Sequence, residues 1–336
     1  MKYQVRQIEF DTYADRIVEM MQANLGNTEV DRERLRRDYC NDNYYALLNG
    51  LFADDGELVG LMVVKPMPWQ HDGVPVDVCL LGDWSVDAAH RTLFPAMMLA
   101  RHSVARGLDE HAVLTGFPND KAEPVFVRSW KGVCHLGGMR RFARPMNWAG
   151  VLSARIGWLR WLEAFAPLES GLRRFLACMA SRGMQLQALA VDQVDELPQI
   201  TPLPGMFRKE LTPEFVRWRF GIFRPEYYRV LIMQDDEGHR ATAVVEKDGN
   251  VVHLRDFVWD PGFPLRQVPA LIQCRFAPEM HSLSMSMLEN DFARQVTESM
   301  GMRAREINRP FYVAVKDFDA AQEAEKWVVT DACEDR

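Results

Sequence analysis

The stretch from Tyr44 to Val86, "YYALLNGLFADDGELVGLMVVKPMPWQHDGVPVDVCLLGDWSV", constrains the fold more than any other. Its apolar residues fall into three β-like runs separated by Asp54-Asp55-Gly56 and His71-Asp72-Gly73. Asp-Gly between such runs favours tight hairpins, so three successive antiparallel strands are expected here. A strand from Tyr3 to Phe10 and two helical segments, "ADRIVEMMQANLG" and "DRERLRRDY", come before it, the second with Asp31 as its N-cap. After it come a helix from Thr92 to Arg106, the short strand "AVLTGF", a helix beyond Pro118 and a closing strand at Phe142 to Met146.

The order then returns. Past the Pro-rich "LPQITPLPG", the helix "TPEFVRWRF" leads into strands "YRVLIMQD", "RATAVVEKDG" and "VVHLRDFVWD". These are followed by the helix "LRQVPALIQCRF", the strand "SLSMSML", the helix "NDFARQVTESMG" and the strand "PFYVAVK". Strands, helix, strand, helix, strand thus occurs twice, an internal repeat of topology with little sequence identity.

Composition narrows the function classes. A chain of 336 residues, 48% of them hydrophobic, can bury a large core. Its apolar runs fall short of the ~20 residues of a spanning helix, and "MKYQVRQIEF" lacks the apolar region of a signal peptide, so a cytoplasmic location is expected. The six cysteines are scattered without a CxxC pair, which predicts buried thiols in a reducing compartment and no metal site. A formal charge of -7 argues against nucleic acid as partner, while an anionic small ligand needs only a local basic patch. The segment 148–183 is helical in pattern and holds five arginines against two glutamates, with Trp148, Trp158 and Trp161 interleaved. Two readings stand: a connector whose aromatics pack between domains, which is favoured, or an amphipathic helix at a membrane surface.

The segment "GDWSVDAAHRTLFPAMMLARHSVARG", Gly82 to Gly107, hands a strand to a helix through a turn of the phosphate-holding kind. With the repeated order around it, it resembles the GCN5-related N-acetyltransferase superfamily over nearly the whole chain. In that family the fourth strand ends at a V-shaped opening that holds acyl-CoA. The next turn, Arg/Gln-x-x-Gly-x-Gly/Ala, cradles the pyrophosphate. The matching residues are Arg91-Thr92-Leu93-Phe94-Pro95-Ala96, in which Arg91 and Ala96 fit and Phe94 stands where the central glycine is expected. Downstream, "GFPNDKAEPVFVRSWKGV" is similar to the family's later stretch, with Asn119, Phe126 and Gly132-Val133 in the matching places. The Phe117-Pro118-Asn119 version is similar to two-module bacterial acyltransferase-like proteins, some linked to cell-surface polysaccharide production.

The resemblance implies an α/β (α+β) fold of tandem modules, each a mixed, mostly antiparallel sheet flanked by helices. The expected boundaries are 1–147 for an acyl-CoA-binding module, 148–205 for a helical connector and 206–336 for a degenerate second module. "PGFPLRQVPA" offers no glycine-bearing phosphate turn, so the second module is expected to be structural or to shape the substrate cleft. The tail "DFDAAQEAEKWVVTDACEDR" reads as a solvated helix or frayed end.

The implied reaction moves an acyl group from acetyl-CoA or another acyl-CoA to an amine, such as an amino sugar or aminoacyl substrate. Trp84, Val86, Arg91, Thr92, Phe94, Ala96, Asn119 and Phe126 are the expected cofactor contacts. Strand alternation puts Asp83 and Ser85 on one face and Trp84 and Val86 on the other. Asp83 is a candidate base, with a strand-end carboxylate or helix cap as the plainer reading; Asp87 and His90 lie close by. Phe126 occupies the place of the usual tyrosine acid, and no tyrosine occurs between Tyr45 and Tyr227. Tyr227, Tyr228 and Tyr312 are then the candidates for that role, each of them otherwise a core or rim aromatic. Two further functions fit: transfer from acyl-carrier protein, which brings phosphopantetheine without the nucleotide, and a non-catalytic scaffold on the same fold.

Overall fold

The computed structural model describes residues 2–25, 30–129, 132–148, 151, 152, 156, 166–315 and 319–333. Elements in chain order begin with β1 (Gln4–Gln7), α1 (Phe10–Leu25), α2 (Arg32–Tyr39), β2 (Leu47–Phe52), β3 (Leu58–His71) and β4 (Val74–Val86). Next come α3 (Leu93–Glu110), β5 (Val113–Gly116), α4 (Glu123–Ser129) and β6 (Val133–Pro145). The later part holds α5 (Ala166–Ala180), β7 (Gln185–Ala190), β8 (Phe207–Lys209), α6 (Pro213–Gly221), β9 (Tyr228–Gln234) and β10 (Arg240–Asp248). It ends with β11 (Val251–Trp259), α7 (Val268–Arg275), β12 (Ser282–Leu288), α8 (Asp291–Ser299), β13 (Arg303–Val315) and β14 (Trp327–Val328).

Local chemistry accounts for the elements read from sequence. Asp72 and Gly73 both take positive φ (53° and 78°), closing a two-residue hairpin between His71 and Val74 whose twist suits the flanking strands. Asp31 caps α2 by accepting from the Arg34 N–H at 2.8 Å, and Thr212 caps α6 by accepting from Phe215 at 3.1 Å, with Pro213 in the first turn.

The chain forms two compact units, and they are not consecutive in sequence. The first takes Met1–Gly138, Arg309–Trp327 and Cys333–Arg336; the second takes Met139–Asn308 and Val328–Ala332. In the first unit the strand order is β1-β2-β3-β4-β5-β13, antiparallel except for the parallel β4–β5 pair. In the second it is β7-β9-β10-β11-β12-β6, antiparallel except for parallel β11–β12. The two orders match strand for strand, so the repeat is structural. Their sixth strands, however, are exchanged. Residues 139–145 of β6, expected to close the first module, pair with β12, and Tyr312–Val315 pair with β5. An edge strand recognises its neighbour through backbone groups, so side-chain pattern does not name the partner. The units therefore differ from the consecutive boundaries at 147 and 205.

Each unit has its own core. Val59, Val64, Leu81, Leu99, Val104, Leu114, Phe126 and Tyr312 pack together in the first; Leu231, Val245, Leu254, Phe257, Leu271, Leu283 and Met285 pack together in the second. Two expectations need correction. Cys178 and Cys274 are joined in a disulfide between α5 and α7, with Cα atoms 5.2 Å apart, while Cys40, Cys79, Cys134 and Cys333 are thiols. The tail is not frayed: Val328, Val329, Thr330, Asp331 and Ala332 are buried in the second unit. Among the described residues no helix is long and apolar enough to cross a membrane. Trp158 and Trp161 lie outside the described residues.

Candidate active site

The site begins where two strands part. Parallel pairing of β4 with β5 ends at Leu81↔Gly116, after which β5 turns away through Phe117 to Asn119 and β4 continues alone to Val86. On the other side of β4, Gly82 pairs with Val63 and Ser85 with Leu61, so Asp83 and Trp84 together face Met62 as a β-bulge. Asp83 takes the left-handed conformation this demands, with φ of 47°. Asp87 N–H donates to Val59 O at 2.9 Å; by alternation Trp84 and Val86 turn their peptide groups away from β3, into the fork.

Asp83 and Ser85 both meet the layer of the first two helices, as alternation predicts. Asp83 accepts from Tyr39 Oη at 2.8 Å and lies 2.7 Å from Lys65 Nζ, which also reaches Asp38 at 2.8 Å. Lys65 is only 2% exposed, so its charge depends on these two carboxylates rather than on water. To act as a base, Asp83 would have to leave this pairing. Asp87 is likewise taken, in an ion pair with Arg16, and His90 shares a hydrogen bond with Tyr3 at 3.2 Å.

A cleft of about 480 Å³ opens at the fork, lined by Trp84, Ser85, Val86, Arg91, Thr92, Ala96 and Asn119 from the expected set. Asn24, Leu93, Lys121, Ala122 and Val125 complete it. Asn24 donates to Ser85 Oγ at 2.6 Å and accepts from Arg91, whose Nε donates to Val86 O at 3.1 Å. Arg91 thus lies across the mouth, tied to the strand end and to α1. Thr92 is the N-cap of α3, so the N–H groups of Leu93 and Phe94 have no acceptor within the helix and favour an anion there. Pro95, in the same turn, has no N–H to add. Phe94 is 64% exposed and does not line the cleft, so its ring leaves the cavity open.

Two expected contacts lie elsewhere. Phe126 is buried in the core beneath Gly116, where an added Cβ would come within 3.1 Å of its ring. Tyr312, on the exchanged strand, packs edge-on against Phe126 with centroids 5.6 Å apart and donates to Glu123 Oε1 at 2.6 Å. Burial, then the hydrogen bond to Glu123, push its hydroxyl up to about 12. Asn119 uses its side-chain oxygen to start α4, accepting from the N–H groups of Lys121 and Ala122 at 3.1 and 3.0 Å. Tyr227 and Tyr228 fall at the start of β9 in the second unit. Lys121 was legible beside Asn119 in the downstream motif; Asn24 gave no signal, because only the packing of α1 brings it to Ser85.

The second unit has the same fork, and it is filled. Pairing of β11 with β12 ends at Leu254↔Met285, with Arg255 as the bulged residue opposite β10. Thr330 bridges to Met287 and donates to Asp256 Oδ1 at 2.9 Å, and Asp331 holds Arg255 Nη1 at 2.6 Å. The segment Val328–Ala332 therefore occupies the space that is open cleft in the first unit.

One group has the makings of a metal site: Asp77, Cys79 and His111, whose ligand atoms lie within 4.8 Å of one another. His111 Nδ1 is already 2.8 Å from Asp77 Oδ1, and burial pushes the Cys79 thiol well above its usual value. A metal needs the thiolate, so this triad fits a hydrogen-bonded His111–Asp77 pair beside a buried thiol better than a metal centre.

No family model and no curated protein matches the chain by sequence. Solved structures do match it in shape. A conserved protein of unknown function from Enterococcus faecalis, described as a probable N-acyltransferase, aligns with a TM-score of 0.64 at 8% identity, over 95% of this chain and 74% of that one. GCN5-related N-acetyltransferases from Kribbella flavida (0.60, 12% identity, 95% and 72%) and Anabaena variabilis (0.61, 9%, 93% and 72%) align similarly. The protein is thus a mixed α/β chain built of two modules of one topology. Its fold is that of the GCN5-related N-acetyltransferases.

Proposed function

We propose that the chain is an acyl-CoA-dependent N-acyltransferase, moving an acyl group, acetyl by first choice, to the amine of an amino sugar or aminoacyl substrate. The observation that supports this reading is the cleft at the β4–β5 fork, with the N-terminus of α3 and Arg91 at its mouth. In the reaction the amine nitrogen bonds to the thioester carbon, the C–S bond breaks, and CoA leaves as its thiol. The Trp84 and Val86 N–H groups would stabilise the oxyanion, a role in which preorganised donors are worth ~3 kcal/mol. Arg91 and the first turn of α3 would hold the pyrophosphate. Ser85 would pass the amine proton on to water at the open mouth of the cleft, while Asp83, paired with Lys65, holds the bulge. Tyr312 does not line the cleft, so to serve as the acid for the departing thiolate it would have to leave Glu123 and turn toward the fork. Calorimetric titration of acetyl-CoA and a long-chain acyl-CoA tests the reading: binding that Arg91→Ala weakens supports it, and no heat from either ligand sinks it.

A second reading, acyl-carrier protein as donor, is favoured by one feature. Pro95 leaves the first turn of α3 a donor short for a nucleotide pyrophosphate, while Leu93 and Phe94 are exposed where a carrier would bring its phosphopantetheine. Transfer from acylated carrier protein, with none from free acyl-CoA, would select it.

A further inference from the structure

Helix α5 is amphipathic the wrong way round for a helix that packs on its own protein. Leu168, Leu172, Phe175, Leu176 and Met179 are between 55 and 73% exposed. At 100° per residue they form one stripe about 100° wide, and the buried Ala177 stands on the opposite side. The large apolar side chains face outward and a small one faces the protein. The helix cannot roll over to bury them, because the Cys178–Cys274 disulfide ties it to α7 within the same unit. Arg173 and Arg174 stand on the two shoulders between stripe and buried side, Arg173 holding Glu169 at 2.6 Å.

We propose that this face is a docking surface for an anionic lipid bilayer, on which α5 lies in the interface without spanning it. Charge selects this occupant. Residues 166–183 hold Arg173, Arg174 and Arg182 against Glu169, a basic balance in a chain of net charge -7, and among the described residues it is α5 that carries this exposed apolar stripe. Apolar side chains entering the acyl boundary, with arginines at headgroup level, is the arrangement by which interfacial helices bind. Trp148, also exposed, is a residue type suited to that depth. A second copy of the chain would bury the stripe too, but would bring the arginines of both copies together. The inference does not rest on the acyltransferase reading.

The test is co-sedimentation of the full chain with vesicles of phosphatidylcholine alone and of phosphatidylcholine with phosphatidylglycerol. The wild type should bind the anionic vesicles, lose binding as salt rises, and bind about 10-fold or more weakly as the Leu172→Glu/Phe175→Glu double variant. Both positions are exposed, and circular dichroism checks that the variant folds. Failure of the wild type to sediment with anionic vesicles overturns the proposal, as does binding undiminished in the variant. A wild-type dimer in light scattering that fails to bind vesicles, and that the variant splits, assigns the face to a second copy and overturns it equally.

Discussion

Tyr312 donates its hydroxyl to Glu123 at 2.6 Å although the two are 189 positions apart in the chain. The contact exists because the strand carrying Tyr312 pairs with β5 of the first unit. It restores a tyrosine beside Phe126, where the local sequence has none.

Replacing Tyr312 with Phe keeps the ring packing and removes the proton. If this hydroxyl protonates the leaving thiolate, kcat should fall by about 100-fold with little change in KM for acyl-CoA, since general acids contribute ~10²–10⁴-fold. Steady-state kinetics with a thiol-release readout checks it. Stability gives an independent signal. The folded hydroxyl titrates at about 12 and an unfolded tyrosine at about 10, so the folded state binds the extra proton between these values. This contribution is complete below about pH 10 and is lost as pH rises toward 12. The wild type should lose more Tm from pH 9 to pH 11 than Tyr312→Phe does.

Lys65→Met would leave Asp38 and Asp83 buried without their cation. Breaking a buried pair this way costs about 3–5 kcal/mol, so urea midpoints should drop sharply. Asp83→Asn separates the two roles of that residue: a structural role appears as a lowered Tm with an unchanged kcat–pH profile, whereas a base would lose the acidic limb of the profile.

Arg91→Ala should weaken acyl-CoA binding by about 10- to 100-fold, the worth of one or two charge-assisted hydrogen bonds. Asn24→Ala should produce a smaller loss in the same titration, because Asn24 positions Arg91 and Ser85. Equal affinity in Arg91→Ala and wild type would remove Arg91 from the site.

Asp331→Ala should destabilise the second unit by about 1–3 kcal/mol, as it removes one of the two carboxylates that pair Arg255 at the filled fork, Glu246 being the other. Chemical denaturation followed by tryptophan fluorescence reads this. Acyl-CoA affinity should be untouched, since the cleft belongs to the first unit.

Reduction of the Cys178–Cys274 bond should lower stability by about 2–4 kcal/mol, because the closed loop spans 96 residues and its closure restricts the unfolded chain. Paired melts with and without reductant, repeated on Cys178→Ser, measure it.

Much of this was legible in the residues. Asp72-Gly73 prescribes its hairpin, Asp31 and Thr212 start their helices, and the twofold order of strands and helices foretells two modules, because turns, caps and periodicity are properties of neighbours in the chain. Trp84, Ser85, Val86, Arg91, Thr92, Ala96 and Asn119 were readable as one site through the family resemblance that the strand–turn–helix order carries, although the same resemblance also named Phe94 and Phe126, which do not line the cleft. Tertiary structure decided the remainder. It tied Asp83 to Lys65, brought Asn24 to Ser85, folded the tail into the second fork and joined Cys178 to Cys274. It also exchanged the last strands, so that Tyr312 packs against Phe126. These depend on which distant surfaces meet, and a strand edge or buried charge accepts any partner that completes its hydrogen bonds and fills the space; local pattern sets what each segment needs, and only packing sets which segment supplies it.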